Sequence, residues 1–426
     1  MTEPLARSFD DVACTVCGCV CDDLTVEVRG DRATAISPGC TLAEPWLLRQ
    51  DRGDVPFARV DGQVVSLEAA VNRATQILSA ARAPLVYGLS NSSTPGQRAA
   101  VRLADRIGAC IDTTASTCHA PSIMALQAVG ESTASLGEVT NRSDVVVYWG
   151  CNPLESHPRH IERFVDAPGM LTPRGRDDRH LIVVDIQRTA TAEIADTFLQ
   201  VEPGRDFELI WALRCMLKGL AVDGSHVGGA DLQTVRRVAE LLKTCRYGAM
   251  FFGLGLTQPP VAHANVEALL RLVTDLNSHT RFIARRMRVP GDVAGADTVL
   301  CWQTGFPFSV SLSQGYPRYN PGEYTADDLL RRGEVDAALL VGTEGLNKLS
   351  PAAQEALRRI PTIVLESPTD TSPREADVHF TTAVYGIHRP GTAYRMDEVP
   401  IELSQIIDSP LPADHEVLQA ILTALP

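Results

Sequence analysis

The sequence predicts a mixed α/β protein in which doubly wound parallel sheets follow a small, cysteine-rich N-terminal module. Two observations lead to this prediction. Through most of the 426 residues, short continuous apolar runs alternate with segments of helical periodicity, and such runs are typical of strands buried on both faces of a parallel sheet. In addition, five of the 11 cysteines lie within the first 40 residues, where thiolates at short spacing can converge on one metal centre.

The cysteine-rich module has donors at the spacing of an iron–sulfur cluster. Cys14, Cys17 and Cys21 form a C-x2-C-x3-C frame. Cys40 follows a segment in which polar and apolar residues alternate on both sides of a Gly-Asp turn, and a hairpin there would bring Cys40 back towards the other three. We therefore predict a 4Fe–4S cluster on Cys14, Cys17, Cys21 and Cys40, with Cys19 as a surplus thiol.

A structural zinc site and inert thiols are the alternatives to the cluster. Zinc ribbons usually supply two CxxC pairs, whereas the last donor stands alone here. A disulfide framework would require an oxidising compartment, but the N-terminal residues contain neither an apolar export segment nor twin arginines. The other cysteines are scattered, which fits reduced thiols, so we expect a cytoplasmic protein.

The composition argues against two classes of partner. The net charge of −13 disfavours binding to nucleic acid or to an anionic membrane surface, because both repel an acidic protein. No apolar run has the length and purity of a transmembrane helix, so we expect no membrane insertion. A chain of this length is long enough for two or three domains with sizeable cores.

Apolar runs predict the strands of the parallel sheets. Each run ends in Gly, Ser or Asp and precedes a helical stretch; the runs are residues 84–90, 144–150, 181–185, 247–255, 337–342 and 362–367. Between them, residues 97–108 and 265–273 carry apolar side chains at helical spacing. Ligands of doubly wound sheets bind at the carboxyl ends of the strands, where glycine lets the backbone approach a ligand closely. A tight turn without any ligand would also explain such glycines.

The strand ends do not support a simple nicotinamide site. None forms a GxGxxG motif with an acidic partner, and the pair Gly253 and Gly255 alone is weak evidence. The strands nevertheless predict dinucleotide-type domains. A polar stretch near residue 56 suggests a connection, so we place the cluster module at 1–56. The first α/β domain is expected to be discontinuous, at 57–140 with 300–426, and the second to occupy 141–299.

A thiol stands beside an imidazole at Cys118-His119, in a stretch of small residues followed by Pro121 and Ser122. This pair is ambiguous when taken alone. A buried cysteine is often only a small apolar core residue. A Cys-His nucleophile is also conceivable, although catalytic pairs of this kind are usually close in space rather than adjacent in sequence.

Taken together, these motifs resemble the B subunits of tungsten- or molybdenum-dependent formylmethanofuran dehydrogenases. The resemblance rests on the cysteine frame, on Cys118-His119 with Pro121-Ser122, and on residues 287–297, 302–307 and 315–323. It extends over essentially the whole chain. Those subunits belong to the molybdopterin oxidoreductase superfamily and are akin to formate dehydrogenases, so the resemblance implies doubly wound domains of the molybdopterin oxidoreductase type.

The superfamily's guanine-dinucleotide loop also has a counterpart in this chain. The residues that the resemblance implies for cofactor binding are Asp185, Arg188, Thr189, Gly204, Arg205 and Asp206. An acidic strand end would accept hydrogen bonds from guanine or ribose, and the following turn would expose backbone donors. A second part of the chain resembles this loop less closely. It comprises residues 366–371 and 376–380 and includes Gly391 and Thr392. Two such loops fit a bis(pterin guanine dinucleotide) cofactor.

The resemblance also implies roles for three residues. Cys118 would bind tungsten or molybdenum through its thiolate, alongside the four dithiolene sulfurs of two pterins. Arg288 would steer carbon dioxide or formate, and His119 would handle the proton. The alternative for Arg288 is that Arg285, Arg286 and Arg288 form only a solvated basic face.

The implied activity is the interconversion of carbon dioxide and formate in formyl-carrier metabolism. The iron–sulfur cluster would pass electrons to partner subunits and to an iron–sulfur electron carrier. The alternative is a non-redox scaffold, as in some bacterial relatives that serve in formyltransferase/hydrolase complexes. A general formate dehydrogenase chain fits Cys118-His119 but not the chain length, since such chains carry an extra C-terminal barrel. Both metals accept the same soft ligands, so the sequence does not distinguish them.

Overall fold

The computed structural model describes residues 6–258, 261–369 and 376–426. The chain forms two compact units: unit 1 comprises Met1–Thr117 with Val289–Pro426, and unit 2 comprises Cys118–Arg288. Each unit is built around its own sheet of mainly parallel strands. The division into three domains after residue 56 and at residues 140 and 299 stays a prediction.

The cysteine-rich module begins unit 1. Its elements are β1 (Ala6–Val12), β2 (Leu24–Arg29), β3 (Arg32–Ser37) and α1 (Ala43–Leu47). The strands form an antiparallel sheet in the order β1-β2-β3. The predicted hairpin between Cys21 and Cys40 is therefore present, and Gly30 turns it with a φ of 59°, which glycine adopts without steric cost.

The first α/β segment of unit 1 alternates strands with amphipathic helices. It contains β4 (Ala58–Val60), β5 (Gln63–Val64), α2 (Leu67–Ala80), β6 (Pro84–Gly88), α3 (Thr94–Ile107) and β7 (Cys110–Thr113), then a 3-10 turn at Thr114–Thr117. Ser66 caps α2 by accepting a hydrogen bond from the Ala69 amide at 3.2 Å. Gly108 ends α3 in the left-handed conformation.

Unit 2 has a five-stranded sheet. Its first half contains α4 (Ala120–Val129), α5 (Leu136–Arg142), β8 (Val145–Trp149), α6 (Pro153–Ser156), a π-helical turn (Glu162–Asp166), a 3-10 turn (Gly175–Asp178), β9 (His180–Asp185), α7 (Ala190–Glu193) and β10 (Thr197–Gln200). Its second half contains α8 (Asp206–Leu217), β11 (His226–Val227), β12 (Ala230–Asp231), α9 (Leu232–Thr244), β13 (Tyr247–Phe252), α10 (Leu254–Thr257), α11 (Ala262–Leu276) and β14 (Arg281–Arg286). The strand order is β10-β9-β8-β13-β14, with every neighbouring pair parallel.

The chain then returns to unit 1 and completes its sheet. The remaining elements are α12 (Val293–Thr304), β15 (Val310–Ser311), β16 (Arg318–Tyr319), α13 (Ala326–Arg331), β17 (Ala337–Val341), a 3-10 turn (Leu346–Lys348), α14 (Pro351–Leu357), β18 (Thr362–Glu366), β19 (Val378–Thr381), β20 (Gly391–Tyr394), β21 (Pro400–Leu403) and α15 (Asp414–Ala424). The nine-stranded order is β16-β15-β7-β6-β17-β18-β19-β4-β5. Its central strands, β7 to β19, are parallel.

Both faces of the unit 1 sheet are covered, as the continuous apolar runs predicted. Val86 of β6 packs into a core with α2, α3, α12 and α15. Its neighbours Leu85 and Tyr87 point to the other face, into a core with α13 and α14. Successive side chains of a strand alternate between faces, so helices on both sides bury every position and the sheet is doubly wound. No helix in the described part of the chain is long and apolar enough to cross a membrane.

Candidate functional site

The loop between β1 and β2 gathers three of the predicted cluster ligands. Cys14, Cys17 and Cys21 are all buried, and the Cys14 amide donates to the Cys21 carbonyl at 2.8 Å. The Val20 amide donates to the Cys17 carbonyl at 3.1 Å, which tightens the loop. Cys40 is partly exposed and its sulfur accepts from the Ala43 amide at 3.3 Å.

The chemistry of these sulfurs fits a cationic cluster. Burial raises the pKa of Cys14 well above its ordinary value, and the nearby sulfurs of Cys17, Cys21 and Cys40 raise it further. Four thiolates would therefore need a positive charge beside them, which the irons of a cluster supply. In the ranges that the structure describes, however, no three His, Cys, Asp or Glu side chains form a recognisable metal centre. The ligand set thus stays a prediction.

Cys19, the surplus thiol of the sequence frame, lies between two of the predicted ligands. Hydrogen bonds with the Cys17 and Cys21 side chains, together with burial, raise the pKa of Cys19. Its side chain is almost completely buried. Spacing alone gave no indication of these contacts, because it does not show the direction of a side chain within a loop.

A glycine fixes the cysteine loop to the rest of unit 1. The Gly291 amide donates to the Val16 carbonyl at 3.2 Å, and a Cβ at Gly291 would lie 2.4 Å from the Thr15 carbonyl oxygen. Only glycine permits so close a contact. Tyr385 is buried beside them and donates to the Ser90 carbonyl at 3.3 Å. The loop is therefore held by backbone contacts as well as by packing.

A cavity of about 160 Å³ opens at the carboxyl ends of the unit 1 strands. Its lining includes Thr15 and Val16 of the cysteine loop, Gly342 after β17, and Glu366 and Ser367 after β18. The Glu366 carboxylate is buried and accepts from the Thr343 hydroxyl and from His379 Nε2. Sites for drug-sized ligands usually measure about 300–1,000 Å³, so this cavity has room for one part of a dinucleotide.

The second predicted nucleotide loop is only partly represented in that cavity. Glu366 and Ser367 line it, whereas Gly391 and Thr392 lie in β20 and are absent from its lining. A Cβ at Gly391 would meet the Ser93 Cβ at 3.2 Å, and the Thr392 carbonyl accepts from the Thr94 hydroxyl at 3.1 Å. Residues 370 and 371 of the same motif lie outside the described residues.

In unit 2, the Cys118-His119 pair lies against the backbone that carries Arg288. Cys118 and His119 are both buried and directly precede α4. His119 Nε2 lies 3.1 Å from the Met287 carbonyl oxygen, and Ser122 donates its hydroxyl to the His119 carbonyl at 2.8 Å. Because a carbonyl only accepts, Nε2 carries the proton of this bond. Residues that are far apart in sequence thus meet here.

The basic run that contains Arg288 is buried, so its interpretation as a solvated face is wrong. Arg285 is 2% exposed and Arg288 is 3% exposed. Arg285 donates to the Ala134 carbonyl at 3.1 Å, and Arg286 forms a buried ion pair with Glu131 at 3.2 Å. Glu131 thus compensates the Arg286 charge, and sequence composition cannot show partners that lie some 150 residues upstream.

Two histidines of this region were not predicted. His157 and His160 are buried; His157 Nε2 lies 2.9 Å from the Arg288 carbonyl oxygen, and His160 Nδ1 lies 2.8 Å from the Tyr148 hydroxyl. Burial lowers the pKa of His157 to about 4. The sequence signal was their position shortly after the strand end at Trp149, where a doubly wound sheet places functional groups.

Three predicted cofactor residues follow β9 at the carboxyl edge of the unit 2 sheet. Asp185 ends the strand, and burial raises its pKa. Thr189 caps α7 through a 3.3 Å hydrogen bond from the Ala192 amide. The exposed Arg188 lies over the Phe198 ring, 4.9 Å from its centroid. An acidic group, a cation and a helix start are therefore grouped where such sheets bind ligands.

The other three predicted cofactor residues begin α8 and have structural contacts of their own. Gly204 has a φ of 79°. Arg205 forms an exposed ion pair with Glu202 at 3.1 Å. Asp206 is buried and accepts from the Trp149 indole nitrogen at 2.8 Å, so at least one of its oxygens is engaged by the protein.

Gly150, Gly253 and Gly255 let the segment after β8 pack closely against the segment after β13, which is the neighbouring strand of the unit 2 sheet. The Gly255 amide donates to the Gly150 carbonyl at 2.9 Å. A Cβ at Gly255 would lie 2.7 Å from the Gly150 Cα, and one at Gly253 would lie 2.5 Å from the Cys151 Cβ. Close approach is therefore the reason for these glycines, but the approaching group is backbone or side chain of the protein itself.

No protein-family model matches the chain. Relatives, by contrast, extend over its whole length. The chain is 39% identical to the B subunit of tungsten-containing formylmethanofuran dehydrogenase 2 from Methanocaldococcus jannaschii, and the match covers 98% of both chains. It is 27% identical to the B subunit of the formyltransferase/hydrolase complex of Methylorubrum extorquens, over 86% of this chain and 96% of that protein.

Solved structures confirm the α/β part of the predicted fold class. A chain of the formyltransferase/hydrolase complex from Methylorubrum extorquens, determined with methylofuran, matches with a TM-score of 0.71 at 24% identity, over 85% of this chain and 97% of that chain. Acetylene hydratase from Pelobacter acetylenicus matches with a TM-score of 0.69 at 13% identity, over 97% of this chain and 69% of that chain. The parallel-sheet fold is thus similar to the molybdopterin oxidoreductase type.

Proposed function

Because the chain belongs to the family of formylmethanofuran dehydrogenase B subunits, we propose that it interconverts carbon dioxide and formate within a multisubunit complex. The centre would be tungsten or molybdenum held by a bis(pterin guanine dinucleotide). The observation that carries this proposal is the buried Cys118-His119 pair, bonded to the Met287-Arg288 backbone by the 3.1 Å contact of His119.

Each side chain of this group has a task in the oxidation of formate to carbon dioxide, a proton and two electrons. When bound, the metal and its pterins would take up the two electrons. The Cys118 thiolate is a soft donor suited to hold either metal. Arg288 offers a planar fork that binds a carboxylate through two parallel hydrogen bonds. His119 uses Nε2 for the Met287 carbonyl, so Nδ1 is the ring nitrogen that takes the proton.

The cofactor's nucleotide ends would lie at the carboxyl ends of the two sheets. In unit 2, Asp185, Arg188 and Thr189 follow β9, with the turn at Gly204 and the α8 start at Arg205 and Asp206 nearby in sequence. In unit 1, Glu366 offers a buried carboxylate to guanine or ribose. We also assign Gly391 and Thr392 to this second loop.

We assign electron transfer to a 4Fe–4S cluster on Cys14, Cys17, Cys21 and Cys40. When bound, such a cluster would supply electron transfer to other subunits and to an iron–sulfur electron carrier. All the cysteines of the chain are free thiols, which supports a reducing compartment such as the cytoplasm.

The alternative is a scaffold protein of a formyltransferase/hydrolase complex that transfers no electrons. The 27% identity to a protein of such a complex supports this alternative. Sequence identity to the dehydrogenase protein is higher, however, at 39%, and the chain retains the predicted metal-binding cysteines.

Metal analysis of the anaerobically purified complex, from cells supplied with tungstate and molybdate, tests the proposal. We expect tungsten or molybdenum together with iron, and formate-dependent reduction of an artificial dye. Metal-free complex would support the scaffold. Complex with confirmed metal content but without formate-dependent dye reduction would contradict the dehydrogenase role.

A further inference from the structure

Two buried imidazoles hold successive backbone carbonyl groups beside Arg288. His119 Nε2 lies 3.1 Å from the Met287 oxygen, and His157 Nε2 lies 2.9 Å from the Arg288 oxygen. A carbonyl oxygen only accepts hydrogen bonds, so each imidazole is the donor. The chain is thus fixed at two consecutive peptide groups from two different segments of unit 2.

This backbone continues directly from the outermost strand of the unit 2 sheet. β14 ends at Arg286 and is the outermost strand of its sheet. On the outer side of β14, the Ala284 amide donates to the Ser132 carbonyl at 2.8 Å, and beyond the strand the Met287 amide donates to the Phe252 carbonyl at 2.8 Å. The Arg288 carbonyl follows these backbone contacts, and the imidazole of His157 supplies it with a buried donor at 2.9 Å.

His157 is arranged as a permanent donor. It is 1% exposed, and its Nδ1 lies 2.9 Å from the Ser156 hydroxyl oxygen. The same hydroxyl donates its proton to the Asn152 carbonyl at 3.1 Å, so the Nε2–H tautomer is set by the Arg288 carbonyl, which only accepts. Burial lowers the pKa of His157, so the ring stays neutral near pH 7.

We propose that His157 is a positioning residue for Arg288: by holding the Arg288 carbonyl, it sets the direction in which the guanidinium projects. This inference rests on the proposed function, because it assumes that Arg288 binds the carboxylate of formate. It assigns His157 a role in substrate affinity. A histidine that merely fills the core would have no such role.

Matched variants separate positioning from packing. His157→Leu removes the donor, whereas His157→Gln keeps an amide nitrogen at a similar reach. His160→Leu is the control, because His160 is equally buried but bonds the Tyr148 hydroxyl instead of this backbone. Each variant is introduced into the assembled complex, and its tungsten, molybdenum and iron contents are measured.

We expect His157→Leu to raise the KM for formate at least about tenfold, with His157→Gln and His160→Leu within about threefold of wild type. Misplacement of a substrate-binding group by about 1 Å is enough for losses of this size. The inference is overturned if His157→Gln behaves like His157→Leu, or if His160→Leu raises the KM equally. If His157→Leu does not assemble, His157→Asn replaces it, since its shorter amide cannot reach the Arg288 carbonyl.

A second measurement does not depend on activity. Amide hydrogen exchange of a peptide spanning residues 285–289 reports the Met287 amide, which bonds the Phe252 carbonyl. We expect faster exchange in His157→Leu and wild-type exchange in His160→Leu; unchanged exchange in His157→Leu would contradict the positioning role. If the wild-type complex oxidises no formate, the proposed function fails, while this measurement still decides whether His157 fixes the backbone.

Discussion

The cysteine loop of unit 1 (residues 14–21) and the Cys118 site of unit 2 (Cys118, His119, His157 and Arg288) are assembled in different ways. The loop takes Cys14, Cys17 and Cys21 from one short segment, so their spacing along the chain already indicates the chemistry. The Cys118 site combines three segments that are far apart in sequence, through the contacts of His119 and His157 with the backbone at Met287 and Arg288. The first kind of site is visible in a single sequence, whereas the second depends on the fold.

The two sites also differ in charge. In the loop, burial and neighbouring sulfurs raise the pKa of Cys14, so a thiolate there would need positive charge beside it, such as that of the proposed cluster. Around Arg288, the protein itself supplies cations: Glu131 compensates the charge of Arg286, and the Ala134 carbonyl accepts a hydrogen bond from Arg285. This contrast agrees with the proposed roles, a metal cluster at the loop and an anionic substrate beside Arg288.

Replacing the proposed metal ligand tests the Cys118 site with the largest expected effect. We expect Cys118→Ala to abolish formate-dependent dye reduction and to lower the tungsten or molybdenum content, because a thiolate in direct contact with the metal has no substitute in alanine. The complex should still assemble, since the change removes only one buried sulfur. Cys245→Ala is the matched control: this buried thiol bonds the Leu242 carbonyl at 3.2 Å and should leave activity unchanged. Equal loss in both variants would contradict the assignment.

In the cysteine loop, the corresponding test compares two adjacent thiols. We expect Cys21→Ser to remove the paramagnetic signal of the reduced cluster, since Cys21 is a predicted ligand. Cys19→Ser should keep the signal, and its hydroxyl can retain hydrogen bonds to the neighbouring sulfurs. A loss of the signal in Cys19→Ser alone would instead make Cys19 the ligand. The measurement is electron paramagnetic resonance of the reduced complex.

Shortening Arg288 tests whether its planar fork matters. We expect Arg288→Lys to lower kcat/KM for formate about 100-fold, because an ammonium cannot reproduce two parallel hydrogen bonds to a carboxylate. A variant that keeps its metal and stays within about threefold of wild type would remove Arg288 from the active site.

The neighbouring arginines serve as controls of a different kind. Arg285→Lys and Arg286→Lys alter buried contacts with Ala134 and Glu131. We expect them to lower the melting temperature of the complex while leaving the KM for formate within about threefold. A KM effect as large as that of Arg288→Lys would show that the whole run, and not one residue, binds the substrate.

The sequence predicted the strands better than the contacts. Every apolar run proposed as a strand contains one; for example, 84–90 contains β6 and 337–342 contains β17. Continuous apolar runs succeed because a strand covered on both faces has no polar positions to confuse the pattern. The two-residue strands β15 and β16, by contrast, are too short to show any periodicity.

At the proposed sites, the sequence did not predict which charged or polar side chains are buried. Arginine is usually exposed, so the burial of Arg285 and Arg286 depended on Glu131 and Ala134, which only the fold brings close. His157 was missed for the same reason, because its partner is a backbone carbonyl and leaves no signal in the sequence.

The smallest expected effect is a pH dependence that belongs to unit 2. Burial lowers the pKa of His157 to about 4, from an ordinary value of 6.5. As the pH falls, His157 therefore becomes protonated near pH 6.5 in the unfolded chain but only near pH 4 in the folded protein. The contribution of His157 to the free energy of unfolding is fully present above pH 6.5. It decreases as the pH falls towards 4, by at most about 1.4 kcal/mol per pH unit.

Glutamine cannot bind that proton, so His157→Gln should remove part of the acid-induced loss of stability. We expect the melting temperature of the variant complex to fall less than that of wild type between about pH 6.5 and 4.5. The exposed His226 provides the control: His226→Gln should follow the wild-type curve, because this side chain is not buried by folding. If His157→Gln and wild type fall in parallel, His157 is not held neutral, and its hydrogen bond to the Arg288 carbonyl is not its reason for being buried.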